Sequence, residues 1–99
     1  TFVNEHAFRW VSGESGIRSY KKPSGFRSDF CSVCGSPVPN SLRDSGMVWI
    51  PAGLLGETLT SKISVHLHTE SAASWEEESA RGVRLAGGPE SLETLGRML

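Results

Sequence analysis

A mainly β fold of short antiparallel strands is the expectation, and three observations predict it. Apolar and polar residues alternate through much of the chain, which is the period of a half-buried strand. Eleven glycines and five prolines are scattered between these runs as turn signals rather than gathered into a low-complexity tract. The chain has 99 residues with 37% hydrophobic content, enough for one small core. A domain of this size buries only about 60 to 65% of its unfolded surface, so a metal, a partner chain or a disulfide would help to hold it.

The elements follow in order. Ala7-Phe8-Arg9-Trp10-Val11 alternates as a strand with Phe8 and Trp10 on one face, and Ser12-Gly13-Glu14-Ser15-Gly16 breaks it. Ile17 to Tyr20 is a second strand, Lys21-Lys22-Pro23-Ser24-Gly25 a turn, and Phe26 to Phe30 a third strand that completes a meander. Val38 falls in a short strand ahead of a loop from Asn40 to Gly46. Met47-Val48-Trp49-Ile50 is a continuous apolar run suited to a strand buried on both faces, ended by Pro51. After the link from Ala52 to Thr60, Ile63 to His68 alternates again, with Ile63, Val65 and Leu67 opposite His66 and His68. Ala72, Ala73, Trp75 and Glu76 to Glu78 favour a helical turn, and Gly82 to Gly88 reads as a linker. Pro89 suits the first position of a closing helix with Leu92, Leu95, Met98 and Leu99 on one stripe. The chain thus divides into a β domain at 1–78 and a carboxy-terminal linker and short helix at 79–99.

Ten Lys and Arg against eleven Asp and Glu give a net charge of −1, so no global field steers the protein to nucleic acid or an anionic membrane. No run approaches the roughly 18 apolar residues of a membrane span, and the opening lacks the basic start of a signal peptide. The expected compartment is cytoplasmic. Arg18, Lys21, Lys22 and Arg27 interleave with Tyr20 and Phe26, a pattern that binds single-stranded nucleic acid in some proteins. Exposed strands carry the same residues for solubility and to discourage edge pairing, which is the reading preferred here. No GxSxG elbow is present. Trp10, Trp49 and Trp75 are expected in the core, Trp49 most of all, and Glu76 to Glu78 on a solvated acidic face.

The most informative motif is Cys31-Ser32-Val33-Cys34-Gly35. A redox pair of this spacing relies on a helix that starts at the motif, and Pro37 and Pro39 argue against one. Two thiolates so spaced also grip one tetrahedral zinc ion while glycine permits the tight turn beneath them. A pair of reduced, unliganded thiols is the third reading. A closed zinc site needs four ligands, and the chain has two cysteines. The rest would come from His6, His66, His68, a carboxylate, a second subunit or additional sequence. His66 and His68 share an expected strand face, though polar residues on the solvent side of a strand have the same spacing.

Five blocks in this order also resemble a known family: Phe8-Arg9-Trp10-Val11-Ser12-Gly13 with Ser19-Tyr20; Phe30 to Pro37; Pro51-Ala52-Gly53-Leu54-Leu55; His66-Leu67; and Ser71 to Trp75. They are similar to the carboxy-terminal two-thirds of glutathione-dependent formaldehyde-activating (GFA) proteins, the family that includes centromere protein V. The resemblance implies a small all-β domain of the β-tent type with a zinc knuckle. In that pattern Cys31 and Cys34 are zinc ligands, forming half of a four-cysteine structural site. The other half comes from an amino-terminal CxC hairpin, and a three-cysteine catalytic zinc cluster also lies upstream. Neither cluster is in this sequence, so the chain reads as a member lacking its amino-terminal third. Gly56 stands where the family has Asp, and Ala72 and Ser74 replace Lys and Pro. The resemblance implies carbon-sulfur lyase chemistry on a glutathione-formaldehyde adduct in complete members, with zinc as the cofactor. The rival expectation is a non-enzymatic zinc or interaction module that forms a homodimer or docks a partner through its helix stripe.

Overall fold

Short strands and single helical turns, rather than long regular elements, build this molecule. The computed structural model describes residues 1–57, 60–76 and 81–99 and separates into two units, Thr1–Leu59 and Thr60–Leu99. The expected boundary between residues 78 and 79, together with Glu77 and Glu78, lies outside the described residues. Among the described residues the fold is mainly β with one carboxy-terminal helix, and no helix is long and apolar enough to cross a membrane.

In the first unit, β1 (Phe2–Asn4), β5 (Met47–Trp49) and β4 (Asn40–Ser41) form an antiparallel sheet in the order β1-β5-β4. Val48 pairs with Val3 on one side and Ser41 on the other. At 7% exposure it is the buried hydrophobic residue among those described. The apolar run at 47–50 was expected to be buried on both faces, yet the structure alternates: Val48 is buried and Trp49 is 38% exposed. Only one face of this small sheet is covered, so an aromatic on the other stays accessible. Trp49 is therefore not a core residue, and Trp75, in the second unit, is 83% exposed and not a core residue either.

The second antiparallel pair is the hairpin of β2 (Ile17–Lys21) and β3 (Arg27–Cys31), with Ile17 opposite Cys31 and Lys21 opposite Arg27. This hairpin matches the sequence expectation to within a residue. The strand expected at 7–11 is absent. Asn4 caps a single 3₁₀ turn at Glu5–Ala7 by accepting the His6 N–H at 2.9 Å, and Phe8 then meets Trp10 edge to face at 5.2 Å. Alternation in any extended segment brings i and i+2 together, and here that aromatic pair replaces a strand ladder. Beyond the cysteines the chain returns along β3 through one bridge, Phe30 to Pro37, and the Val38 N–H donates to Asp29 O at 3.0 Å. The strand follows at Asn40–Ser41, within the expected loop.

The interior of this unit is partly polar. Asp29 and Asn40 are buried at 5% and 7% exposure. Arg27 grips Asp29 with two hydrogen bonds, Nε to Oδ1 at 2.8 Å and Nη2 to Oδ2 at 2.7 Å. Burial pushes the Asp29 carboxyl up, but hydrogen bonds from Arg27 and Ser19 and the charges of Arg27 and Lys21 outweigh it, leaving the group below its ordinary value. Asn40 Nδ2 donates to Arg27 O at 3.4 Å and Ser41 O at 3.0 Å, tying the hairpin to the sheet.

The second unit holds β6 (Val65–His66), β7 (Val83–Arg84) and α1 (Leu92–Met98). β6 and β7 are parallel, a departure from the expected antiparallel arrangement, and β7 lies inside the expected linker. The connection from Leu67 to Gly82 exceeds the dozen or so residues that a parallel crossover requires. Gly82 has φ +114, and a Cβ there would lie 3.0 Å from Ser64 O, so no other residue fits beside β6. Ile63 and Leu67, expected on the inner face, are 65% and 37% exposed. Glu76 is exposed, as expected of a solvated face, and also pairs with Arg84 at 3.2 Å. The helix begins later than Pro89 because Ser91 is its cap, accepting the Thr94 N–H at 3.0 Å. Leu92, Leu95 and Met98 are half-buried, whereas Leu99 is exposed.

Candidate metal centre

The candidate site is built where β3 runs out. Cys31 is the last residue of that strand, and both of its backbone groups close the loop that follows. Its N–H donates to Ser36 O at 2.9 Å, and its carbonyl accepts the Gly35 N–H at 2.8 Å. The Ser32 N–H donates to Gly16 O at 2.9 Å, anchoring the loop to the segment before β2. Gly35 has φ +75, the left-handed conformation that lets the chain reverse after the second cysteine.

This loop brings the two thiols together as free cysteines, Cys31 half-buried and Cys34 exposed. Cys34 Sγ lies 3.3 Å from Ser36 Oγ and donates to it as a thiol. Once deprotonated it becomes the acceptor. Hydrogen bonding from the Ser36 side chain, then from the Ser36 backbone, then from the Cys31 thiol, holds the Cys34 thiol below its ordinary range. Ser36 was not among the residues singled out from sequence. A hydroxyl two positions after a turn cysteine is the local signal that marks it.

The histidines are not brought to this pair. Among the described residues no three or more His, Cys, Asp or Glu side chains gather in a group fit for a metal. His6 sits in the 3₁₀ turn at Glu5–Ala7. His66 Nε2 lies 3.0 Å from Arg81 O. His68 has a left-handed backbone with φ +56, beyond the end of β6, and its ring approaches Gly88. The expected common strand face of His66 and His68 is therefore not formed, because the strand stops at the first of them. The donor chemistry of Cys31 and Cys34 fits two positions of a tetrahedral zinc site, and the described residues supply no third donor to them.

No curated protein and no solved structure gives a significant match to the chain. The model of the family described as "Glutathione-dependent formaldehyde-activating enzyme" matches residues 1–71, a span that holds β1 to β6 and the whole cysteine turn. By that match over most of its length, the chain belongs to the GFA family.

Proposed function

We propose that this chain is a zinc protein of carbon-sulfur bond chemistry, in which Cys31 and Cys34 supply two thiolates of a structural zinc site. The observation that carries the reading is the turn from Cys31 to Ser36, closed by two backbone hydrogen bonds at Cys31, which brings the two free thiols together. Zinc bound there supplies geometric restraint at the end of β3. The chain's own residues hold the ligands: Ser36 favours the Cys34 thiolate, and Gly35 sets the reversal that aims it. Family membership supports a glutathione-formaldehyde type of thiol adduct as the substrate class. Two unpaired thiols suit a reducing compartment such as the cytoplasm.

The absence of a third donor among the described residues favours a second reading of the same site. Two copies related by a two-fold axis would together present four thiolates, and the protein would then act as a zinc-linked homodimer. Sedimentation with and without chelator, alongside turnover of glutathione with formaldehyde, tests both. The enzyme reading predicts turnover above the uncatalysed rate; the dimer reading predicts a dimer that a chelator dissociates. A chain that is monomeric with or without chelator and gives no turnover contradicts both.

A further inference from the structure

At the other end of β3 from the cysteines, the β2–β3 and β4–β5 loops border a cavity of about 540 Å³. Its cations are Lys21, Lys22, Arg27 and Arg43, and its carboxylates are Glu5 and Asp44. Arg27 is committed to Asp29, whereas Lys21, Lys22 and Arg43 make no salt bridge among the described residues. The Glu5 carboxylate lies to one side of the cavity, whereas Asp44 directly follows Arg43 in the β4–β5 loop. The Glu5 N–H donates to Gly46 O, and a Cβ on Gly46 would stand 3.9 Å from Glu5 Oε1, which places that carboxylate at the Gly46 side. Arg43 lies at Gly25 instead, where a Cβ would meet Arg43 Cδ at 4.0 Å, and the Lys22 ammonium lies over the neighbouring Phe26 ring.

Two further features point to a ligand. Arg43 holds φ +52, a left-handed conformation that is unfavourable for a residue with a Cβ. A second recess of about 280 Å³ shares Gly25, Phe26 and Arg43 with the first and is walled by Leu42 and Trp49. Lys22 Nζ stands 5.5 Å from the centre of the Phe26 ring, so a cation already lies against the aromatic that both spaces share.

We propose that this cavity and the recess beside it together bind a small organic anion, its charged group held in the cavity by Lys21, Lys22 and Arg43 and its flat apolar body lodged against Phe26 and, in the recess, Trp49. The volume is that of a small-molecule site, which spans roughly 300 to 1,000 Å³. Cations beside an apolar wall reward a ligand that carries both features over one that carries either. The site is separate from the cysteine turn, since four residues of extended strand span about 13 Å.

Phenyl phosphate is a suitable probe, with inorganic phosphate and phenol as its two halves, titrated into ¹⁵N-labelled protein at low ionic strength. Phenyl phosphate should shift the amides of Lys21 to Arg27 and Ser41 to Asp44 and the Trp49 indole, about tenfold or more tightly than either half. Added salt should weaken it. Arg43→Gly removes the guanidinium while relieving the left-handed backbone, so the variant stays folded, and it should bind about fivefold or more weakly. Lys22→Gln should behave alike. Arg18→Gln should bind as the wild type does, since Arg18 donates to the carbonyls of Ser15 and Ile17 and does not line the cavity. Shifts scattered over other surfaces, phosphate or phenol binding as tightly as phenyl phosphate, or wild-type affinity in both Arg43→Gly and Lys22→Gln would overturn the proposal.

Discussion

The two ends of β3 do opposite things with polar chemistry. At Cys31 the strand delivers its side chain to a turn whose partner cysteine is three positions away and exposed. At Arg27 and Asp29 the same strand builds an ion pair on a buried carboxylate, and Asn40 from another strand bonds the Arg27 backbone carbonyl beside it. The cysteine end is organised by backbone hydrogen bonds and is open to a ligand. At the arginine end the Arg27–Asp29 pair is already satisfied by protein groups and holds the hairpin to the sheet, and the cavity beside it offers Lys21, Lys22 and Arg43 to a ligand instead. Within five residues, then, one strand joins a reactive end to a structural one, and substitutions at the two ends should differ in kind.

The largest stability effect is expected at the structural end. Arg27→Ala leaves the buried Asp29 carboxylate without its bidentate partner and should cost about 3 kcal/mol in urea unfolding at pH 7. An effect below 1 kcal/mol would place the weight of this region elsewhere. The pH dependence sharpens the test. Asp29 has a folded pKa below its unfolded one, so its contribution is fully present above the unfolded value of about 3.9 and is lost as pH falls through the folded value. The gap between wild type and Arg27→Ala should therefore narrow in unfolding curves taken below about pH 4.

A middle-sized effect belongs to the turn. Gly35→Ala forces a Cβ into the left-handed region at φ +75 and should cost about 1 to 2 kcal/mol, read as a lower thermal midpoint. The smallest is at Val33, between the cysteines and 92% exposed, where Val33→Ser should change stability by less than about 0.5 kcal/mol. A large loss at Val33 would mean that the turn packs against something, and the contrast between the two ends of β3 would fail.

What could be read from sequence follows the same division. The cysteine turn was legible because its determinants are contiguous: two cysteines, the glycine that reverses the chain and the prolines that exclude a helix all lie within Cys31 to Pro39. The hairpin was legible for the same reason, with Pro23 and Gly25 between two short alternating runs. The Arg27–Asp29–Asn40 cluster was not, since an Arg-Ser-Asp run on a strand reads as surface, and Asn40, which bonds its backbone, comes from a separate strand. Trp49 was misplaced because hydrophobicity alone cannot tell a covered sheet face from an open one. The parallel pairing of Val65 with Val83 joins segments far apart in sequence, and two-residue strands carry too little pattern to announce themselves.

The central claim is that Cys31 and Cys34 form a metal-binding pair, and zinc content measured together with thiol alkylation tests it most directly. Protein purified without chelator should carry zinc, resist alkylation at both cysteines until a chelator is added, and lose the metal in Cys31→Ser and Cys34→Ser. A folded wild-type protein that holds no zinc when supplied with it, and whose two thiols alkylate freely, would contradict the account.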